Sequence, residues 1–315
     1  MIKVYLVKDK AQYDISDYIV SLKWSGDLDG AARKISVDFL QNDEMKELEM
    51  DNGDMLEVIH DGKSIFQGYI FSLEIEGGGT TASYVAYDGL IYLIKSKGTY
   101  NFKNMASRQI IDILSEKFGF EVGILPSINT KCSRIFQDKS VYEIIKEVYE
   151  IEGKKNNDKY VIEMNNGVLE IFEYGRRYVE NKLEDNINLI SLKYSESIED
   201  MVSKVMVLDD KDNKIDVLVD SELTDKYGSI QNVYKEEDGI DYRSGAKDKM
   251  KGPDKVYSID ALGDIGCTTG KSVYIKDSTT GITGEFYISG DEHSFSSNSH
   301  TMSLNLVLKE KEDEK

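Results

Sequence analysis

Cysteine, proline and basic residues are scarce in this chain of 315 residues. The two cysteines, Cys132 and Cys267, are too few for a disulfide framework or for a metal site with four thiolate ligands. The two prolines, Pro126 and Pro253, belong to no proline-rich or Gly/Ser-rich linker. We therefore expect domains that touch through short connections, in a protein made in a reducing cytoplasm.

Positive charge is also in deficit, because 39 Lys and Arg face 58 Asp and Glu and the formal charge is −19. Nucleic-acid binding without sequence specificity depends on clusters of Lys and Arg, and here the basic residues are scattered among acids. The same balance argues against docking on anionic membranes. It predicts a soluble protein that binds neither nucleic acid nor a membrane directly.

Long apolar runs are missing too, since none approaches the roughly 20 residues that a membrane-spanning helix needs. The segment Met1–Lys10 contains three lysines and no small-residue cleavage site, which indicates a first β-strand and not a signal peptide. Hydrophobic residues still make up 40% of the chain, which is enough to form cores and excludes wholesale disorder.

Alternation of apolar and polar residues predicts strands over most of the first hundred residues. Residues 2–7, 18–24 and 35–40 alternate with a period of two, which is typical of a strand with one buried face. Asp61-Gly62 lies between two apolar runs and predicts a tight hairpin turn. Several short strands with turns between them suggest a small barrel or sandwich.

The pattern changes near residue 100, where apolar residues recur at helical spacing. One helix is predicted over Asn104–Phe118, with Gly119 as its stop. A second is predicted from Ser140, which forms a capping box with Glu143, and Gly153 is expected to end it. A hairpin with an Asn-Asn-Gly turn follows, so this part of the chain is predicted to be a compact α+β unit.

Strands resume near residue 185 and continue almost to the C-terminus. Within the polar stretch 221–251, modest helical character is expected around 222–227 and 239–250. Two hairpins, 273–288 and 289–308, close the chain. The sequence therefore predicts a mainly β protein with an α+β insert.

Two short motifs resemble ligand-binding motifs, but in both the neighbouring residues do not match the pattern. Gly270-Lys271-Ser272 supplies the end of a phosphate-binding loop, but Ile265 stands where that motif needs glycine, and a strand follows. The acidic turn 209–213 suggests calcium, but Ile215 occupies the position where the helix–loop–helix template has glycine. A solvated hairpin turn is the better interpretation of the second motif.

Asp291, His293 and His300 form the most enzyme-like group in the sequence. Asp291 and His293 are two apart and share one face of a strand, and His300 opens the return strand opposite them. Two histidines and a carboxylate can hold zinc or iron, and a His–Asp pair can orient a base. Nothing in the sequence identifies the further residue that either kind of site would need. A hydrogen bond to a turn is the commoner role for such histidines. We therefore predict no catalytic, cofactor-binding or metal residues.

Seven segments, taken in chain order, carry a family resemblance. They are Phe66–Ile70, Ala86–Leu93, Ser197–Val205, Gly270–Ile275, Gly284–Ile288, Asp291–Phe295 and His300–Leu306. Their order and spacing resemble the XkdQ/YqbQ-like baseplate hub proteins of contractile phage tails, defective prophages and phage-tail-like bacteriocins of Gram-positive bacteria. The resemblance runs the whole length of the chain.

The resemblance implies a domain fold and an assembly that the hydrophobic pattern alone does not predict. Such hubs are similar to a duplicated tail-tube protein, which implies two tube-protein-like β-barrel domains, 1–98 and 181–315, flanking a small α+β domain, 99–180. Three copies would form a ring that adapts the six-fold tail tube to the three-fold spike around a channel. The implied partners are two further copies, the tail tube protein, the spike protein, the tape-measure protein and a LysM-like baseplate protein.

The resemblance also implies a location and a purely structural role. The protein would be synthesised in the bacterial cytoplasm and assembled into the baseplate of a phage tail or of a released tail-like particle. It would not be an enzyme. Two alternatives stay open: a peptidoglycan hydrolase associated with the tail, and a carbohydrate-binding receptor module.

Overall fold

The computed structural model describes residues 2–43, 48, 50–128, 130–156, 158–236, 241–296 and 299–309, without the side chains of 154–156. Strands predominate, which confirms the predicted mainly β class. The chain forms two compact units, the first made of Met1–Leu192 with Ser258–Lys315 and the second of Lys193–Tyr257. We refer to them as unit 1 and unit 2. Within the described residues, no helix is long and apolar enough to cross a membrane.

The strands and helices are numbered separately in chain order. The strands are β1 (Ile2–Lys8), β2 (Ala11–Asp14), β3 (Ile19–Asp27), β4 (Lys34–Leu40), β5 (Met55–His60), β6 (Lys63–Ile75), β7 (Thr81–Asp88), β8 (Lys97–Ala106), β9 (Glu121–Val122), β10 (Lys131–Ser140), β11 (Tyr160–Asn165), β12 (Val168–Glu173), β13 (Leu183–Glu184), β14 (Leu189–Ser197), β15 (Lys204–Leu208), β16 (Lys214–Val219), β17 (Gln231–Lys235), β18 (Asp254–Leu262), β19 (Ser272–Lys276), β20 (Thr283–Ser296) and β21 (Ser299–Leu308). The helices are α1 (Leu90–Lys95), α2 (Ser107–Phe118), α3 (Val141–Asn156), α4 (Ser221–Tyr227) and α5 (Tyr242–Lys247).

One large sheet organises unit 1. Its strand order is β2-β1-β5-β6-β7-β4-β3-β20-β21, followed by the unit 1 residues of β18 and β14, and β19 pairs with β20 and with β13. The C-terminal hairpin β20–β21 therefore lies beside β3, antiparallel to it, with His293 opposite Trp24. This non-local pairing brings residues from the two ends of the sequence into one polar cluster.

The alternation found in the sequence becomes burial on one face of this sheet. Side chains that alternate along β1, β3, β4, β5 and β7 enclose one core with Phe295 from β20. The fully or nearly fully buried members include Val4, Leu6, Leu22, Ile35, Val37, Phe39, Leu56 and Val58. Burial on one face explains why a period of two predicted these strands correctly.

The middle of the chain packs α1, α2 and α3 against two small sheets, β8–β10 and β9–β12–β11. The predicted capping box is confirmed, because the Glu143 N–H donates to Ser140 Oγ at 3.1 Å and the Ser140 N–H donates to Glu143 Oε2 at 2.7 Å. Gly119 ends α2 in the left-handed conformation, with φ of 71°. The helical prediction was wrong at Asn104, which lies in β8 and donates its N–H to Ser133 Oγ at 2.8 Å.

Gly153 does not end the second helix, contrary to the prediction, because α3 continues to Asn156. A Cβ atom at this position would lie 2.3 Å from the carbonyl oxygen of Asp158. Glycine is therefore required at 153 because the chain passes closely over the helix, and the residue does not act as a stop signal.

Unit 2 contains a three-stranded sheet in the order β16-β15-β17, with α5 on one face. The helical expectation for 222–227 is confirmed as α4, where Asp220 Oδ1 accepts the N–H of Leu223 at 3.0 Å. Of the second helical stretch, Tyr242–Lys247 is helical, and 237–240 lie outside the described residues. Residues 209–213 form the turn between β15 and β16, as predicted.

Candidate functional site

A buried ion pair occupies the centre of the polar cluster. Arg33 Nη1 and Nη2 donate to the two carboxylate oxygens of Asp291 at 2.9 and 2.6 Å. Thr269 adds a backbone N–H and a hydroxyl, each 2.7 Å from Asp291 Oδ1. Burial alone would raise the pKa of Asp291, but the charge and hydrogen bonds of Arg33 outweigh it and lower that pKa. The carboxylate therefore stays ionised and fully engaged.

Arg33 reaches Asp291 because two residues of β3 shape its path. A Cβ atom on Gly26 would lie 2.4 Å from Arg33 Nη1, so only glycine leaves room for the guanidinium. On the adjoining side, the ring centre of Trp24 lies 4.1 Å from Arg33 Cζ, a cation–π contact. The conformation of Arg33 is thus fixed from two sides.

The backbone of Arg33 is held by a second buried carboxyl group, that of Asp88. Asp88 Oδ2 accepts the N–H of Arg33 at 3.1 Å, and Asp88 Oδ1 accepts the N–H of Leu90 at 3.0 Å. Burial raises the pKa of Asp88 to about 7, with the two N–H groups opposing the rise. Asp88 therefore titrates near neutrality while it links the end of β7 to Arg33.

His293 lies beside the ion pair and is completely buried. Its Nε2 is 3.0 Å from the carbonyl oxygen of Cys267, and its Nδ1 is 3.0 Å from Nε2 of His300. A carbonyl oxygen can only accept, so Nε2 of His293 carries the proton and Nδ1 accepts the N–H of His300. Both rings are neutral in this arrangement, and both nitrogens of His293 are used.

The third histidine of the chain joins the same cluster. The ring centres of His60 and His300 are 5.5 Å apart, and that of Phe295 stacks on His300 at 4.1 Å. Since the sequence contains only three histidines, all of them lie here. Burial lowers the pKa of His293, and it lowers that of His300 to about 4.

The structure thus brings Asp291, His293 and His300 together, and all three side chains are hydrogen-bonded within the protein. The oxygens of Asp291 are engaged by Arg33 and Thr269, and no group of three His, Cys, Asp or Glu suited to a metal ion occurs among the described residues. Sequence reasoning missed Arg33, the partner of Asp291, because only the pairing of β3 with β20 brings the two together.

The Gly270-Lys271-Ser272 segment has a structural role in this conformation. Lys271 Nζ donates to the carbonyl oxygen of Gly266 at 3.2 Å, and the Ser272 hydroxyl donates to the carbonyl oxygen of Gly175 at 2.8 Å. Burial lowers the pKa of Lys271. Ser272 begins β19, as predicted, so the segment leads into a strand and not into a helix.

A groove of about 630 Å³ opens beside the polar cluster, between α3, β11 and the turn after β3, and Arg33 and Thr269 are among its lining residues. Its walls include Tyr142, Tyr149, Tyr160 and Tyr174, with Lys146 and Glu150 from α3. Tyrosine rings beside polar groups can stack on sugars, so the groove is the place to look for carbohydrate binding.

The fold of the chain is that of a phage tail protein. The structure resembles the 43 kDa tail protein of prophage MuSo2 from Shewanella oneidensis with a TM-score of 0.73 and 15% identity, over 97% of this chain and 98% of that one. At this identity the likeness concerns the fold alone.

The chain belongs to the YQBQ-like family, whose model matches residues 22–307. It is 28% identical to the uncharacterized protein YqbQ of Bacillus subtilis strain 168, over 98% of this chain and 97% of that one. It is 26% identical to XkdQ, a protein of the phage-like element PBSX of the same organism, over 98% of both chains. The predicted resemblance to XkdQ and YqbQ is thereby confirmed.

Proposed function

We propose that this protein is a structural baseplate hub, of which three copies form a ring that adapts a six-fold tail tube to a three-fold spike. The observation that carries the proposal is the full-length relationship to XkdQ, a protein of a phage-like element. The large sheet supports it, because the C-terminal hairpin continues the N-terminal strands through β3 and β20. A rigid sheet that joins both ends of a chain suits a part that bears mechanical load.

The internal organisation of the hub is part of the proposal. Residues 1–98 and 181–315 would be the two tube-protein-like barrels, and 99–180 the α+β insert between them. The helices α2 and α3, which lie within 99–180 between strand-rich segments, support this division. With two barrels in each copy, a ring of three would present six barrels to the tail tube.

Charge bears on the channel of such a ring. Three copies at −19 each would carry −57, a self-repulsion that burial of strand surface between copies must offset. We propose that acidic side chains face the channel, so that DNA and the tape-measure protein pass without sticking. The tube and spike proteins, together with a LysM-like baseplate protein, would bind around it, in a tail or a released tail-like particle.

Oligomeric mass tests the proposal directly. The full chain would be measured by light scattering alone, with its spike protein, and with spike and tube proteins together. A hub is expected to form a complex with three copies per spike trimer and to recruit tube protein. A chain that stays monomeric in the presence of both partners would contradict the ring.

Peptidoglycan hydrolysis is the alternative, and the same preparation can test it on a zymogram. Both nitrogens of His293 and both oxygens of Asp291 are already hydrogen-bonded, so no clearing band is expected. A band that disappears in His293→Ala and persists in Cys132→Ser would favour the hydrolase. Binding of the purified chain to cell wall, lost in Tyr142→Ala, would favour the receptor module.

A further inference from the structure

All three histidines of the chain lie together at the end of the C-terminal hairpin. His60 ends β5, His293 lies in β20, and His300 lies at the start of β21. Phe295 packs between them, 4.1 Å from the ring of His300 and 5.7 Å from that of His60. These aromatic contacts join the end of the β20–β21 hairpin to the end of β5, which it does not meet in the sheet.

The geometry of the pair His293 and His300 admits at most one positive charge. Their facing nitrogens are 3.0 Å apart and share one proton. Charging both rings would add a proton to His293 Nδ1 that points at the N–H of His300, since His293 Nε2 already donates to the carbonyl oxygen of Cys267. A charge on both rings of the closed hairpin therefore requires the hydrogen bond between them to break.

The charged neighbours do not compensate an added positive charge. His293 faces Asp291, with its Nε2 3.5 Å from Oδ2, but Arg33 already neutralises that carboxylate and adds its own positive charge. The negative charge of Asp264, which accepts from Asn181 Nδ2 at 2.7 Å and from the Gly266 N–H at 2.8 Å, favours protonation of both His293 and His300, but their burial outweighs it.

The neighbours of the other two rings complete the electrostatic surroundings. His60 Nδ1 lies 3.6 Å from Asp61 Oδ2. His300 faces His60 and His293, so a charge on any ring repels a charge on the next. The thiol of Cys267 is buried beside His293 and stays protonated, because burial raises its pKa.

Protons can reach the cluster from solvent. A groove of about 600 Å³ is lined by His60 and His300 together with Lys3, Asp17 and Phe295. Lys3 is paired with Asp14 at 2.9 Å, so the groove does not present a free ammonium next to the rings. The far end of the hairpin, at Ser296 and Ser299, borders the same groove.

We propose that the three histidines form an acid-sensitive latch, which holds the end of the β20–β21 hairpin against β5 at neutral pH and releases it below the ordinary titration range of imidazole. The direction of the effect comes from linkage between protonation and opening. In the open hairpin the rings of His293 and His300 meet water and titrate at about 6.5, while in the closed hairpin both rings resist protonation. Acid therefore favours opening, and the latch is strongest above the ordinary value.

Hydrogen exchange of the whole chain at pH 7.5, 6.0 and 5.0, in buffer with EDTA, tests the latch. After correction for the intrinsic rate, protection of the amides of β21 nearest the turn should fall as pH falls. For each proton bound only by the open hairpin, the open fraction should rise about tenfold per pH unit below 6.5. Strands β15 and β16, which contain no histidine, provide the internal control.

Two variants test whether the imidazole rings cause the pH dependence. His300→Gln keeps a donor toward His293 and cannot titrate, so its β21 protection should depend far less on pH. Ser299→Ala, at the same hairpin end, removes a hydroxyl contact with Ser296 and should keep the pH dependence of the unmodified chain. Equal protection of β21 at pH 7.5 and 5.0, or an equal loss in His300→Gln, would overturn the proposal.

A titration by NMR gives an independent answer if His300→Gln does not fold. The ring protons of His293 and His300 in the unmodified chain should not shift until well below pH 6.5, and their signals should broaden or double as the hairpin opens. Fast, simple titration of either ring near the ordinary value would refute the latch. Stabilisation by added Zn²⁺ at pH 7.5 that His300→Gln abolishes would show a metal site in its place.

Discussion

Arg33 grips both carboxylate oxygens of Asp291, although 258 positions separate the two residues in the chain. The pair is almost fully desolvated, with side-chain exposures of 15% for Arg33 and 0% for Asp291. The mutual attraction of such a pair matters less than the penalty for losing one partner, because the remaining charge is then buried alone. The pair therefore makes the register between β3 and β20 hard to change.

Asp291→Asn should destabilise the protein strongly. Removing one partner of a buried pair typically costs about 3–5 kcal/mol, so the urea midpoint should fall markedly with an unchanged slope. Arg108→Ala breaks the exposed pair with Asp112 at 2.8 Å and serves as the control, with a much smaller effect. Similar losses of unfolding free energy in the two variants would mean that burial does not determine how much the Arg33–Asp291 pair stabilises the fold.

The carboxyl group of Asp88 should give stability an unusual dependence on pH. Its pKa is raised by burial to about 7 in the folded chain, against 3.8 as the reference. The folded state thus holds this proton more tightly, and the contribution of Asp88 to stability is greatest below pH 3.8 and is lost as pH rises toward about 7.

The measurement is a comparison of unfolding free energies with Asp88→Asn from pH 4 to 8. The difference between the two proteins should change steadily as pH rises to about 7 and then level off. The difference cancels the opposing contribution of the histidines, which weakens the fold as pH falls. A difference that is flat across this range would show that Asp88 is ionised throughout.

Gly153 offers a test of why the second helix does not stop where glycine stands. Gly153→Ala would gain about 1 kcal/mol in helix propensity, yet the new Cβ would lie 2.3 Å from the carbonyl oxygen of Asp158. We expect a net loss of thermal stability. Gly252→Ala, where nothing lies within 4 Å, should change little. A higher melting temperature for Gly153→Ala would mean that the chain near Asp158 moves away at little cost.

The elements that were predictable are those whose signal is local. Alternation identified the strands, and Ser140 with Glu143 identified the start of α3. In both cases the contacts responsible lie within one strand or one helical turn. The prediction that Gly153 ends the helix was wrong because glycine is needed there for a contact five residues away, with the chain that passes over it. The strand nature of Asn104 depends on β10, which is equally invisible in a local window.

In the candidate site too, the residues predicted correctly are those with a local signal. The spacing of Asp291 and His293 predicted a shared face, and His300 was correctly placed across the turn. The residues that decide the chemistry, Arg33 and His60, come from strands hundreds of positions earlier, and only the order of the large sheet brings them there. A carboxylate with an unknown partner looks like a catalytic group, and with Arg33 in place it becomes part of a structural pair.

Salt dependence should reveal whether charge opposes assembly of the proposed ring. Three chains at −19 repel over distances that salt shortens, since the screening length is about 10 Å at 0.1 M and about 30 Å at 0.01 M. The fraction of trimer in the presence of the spike protein should therefore rise between the lower and the higher of these concentrations, as measured by light scattering or mass photometry. Arg33–Asp291 and the other buried contacts lie within one copy and should be insensitive to the change. If added salt dissociates the trimer, attractive ion pairs between copies outweigh the net repulsion, and the acidic side chains must be sought at the interfaces and not along the channel.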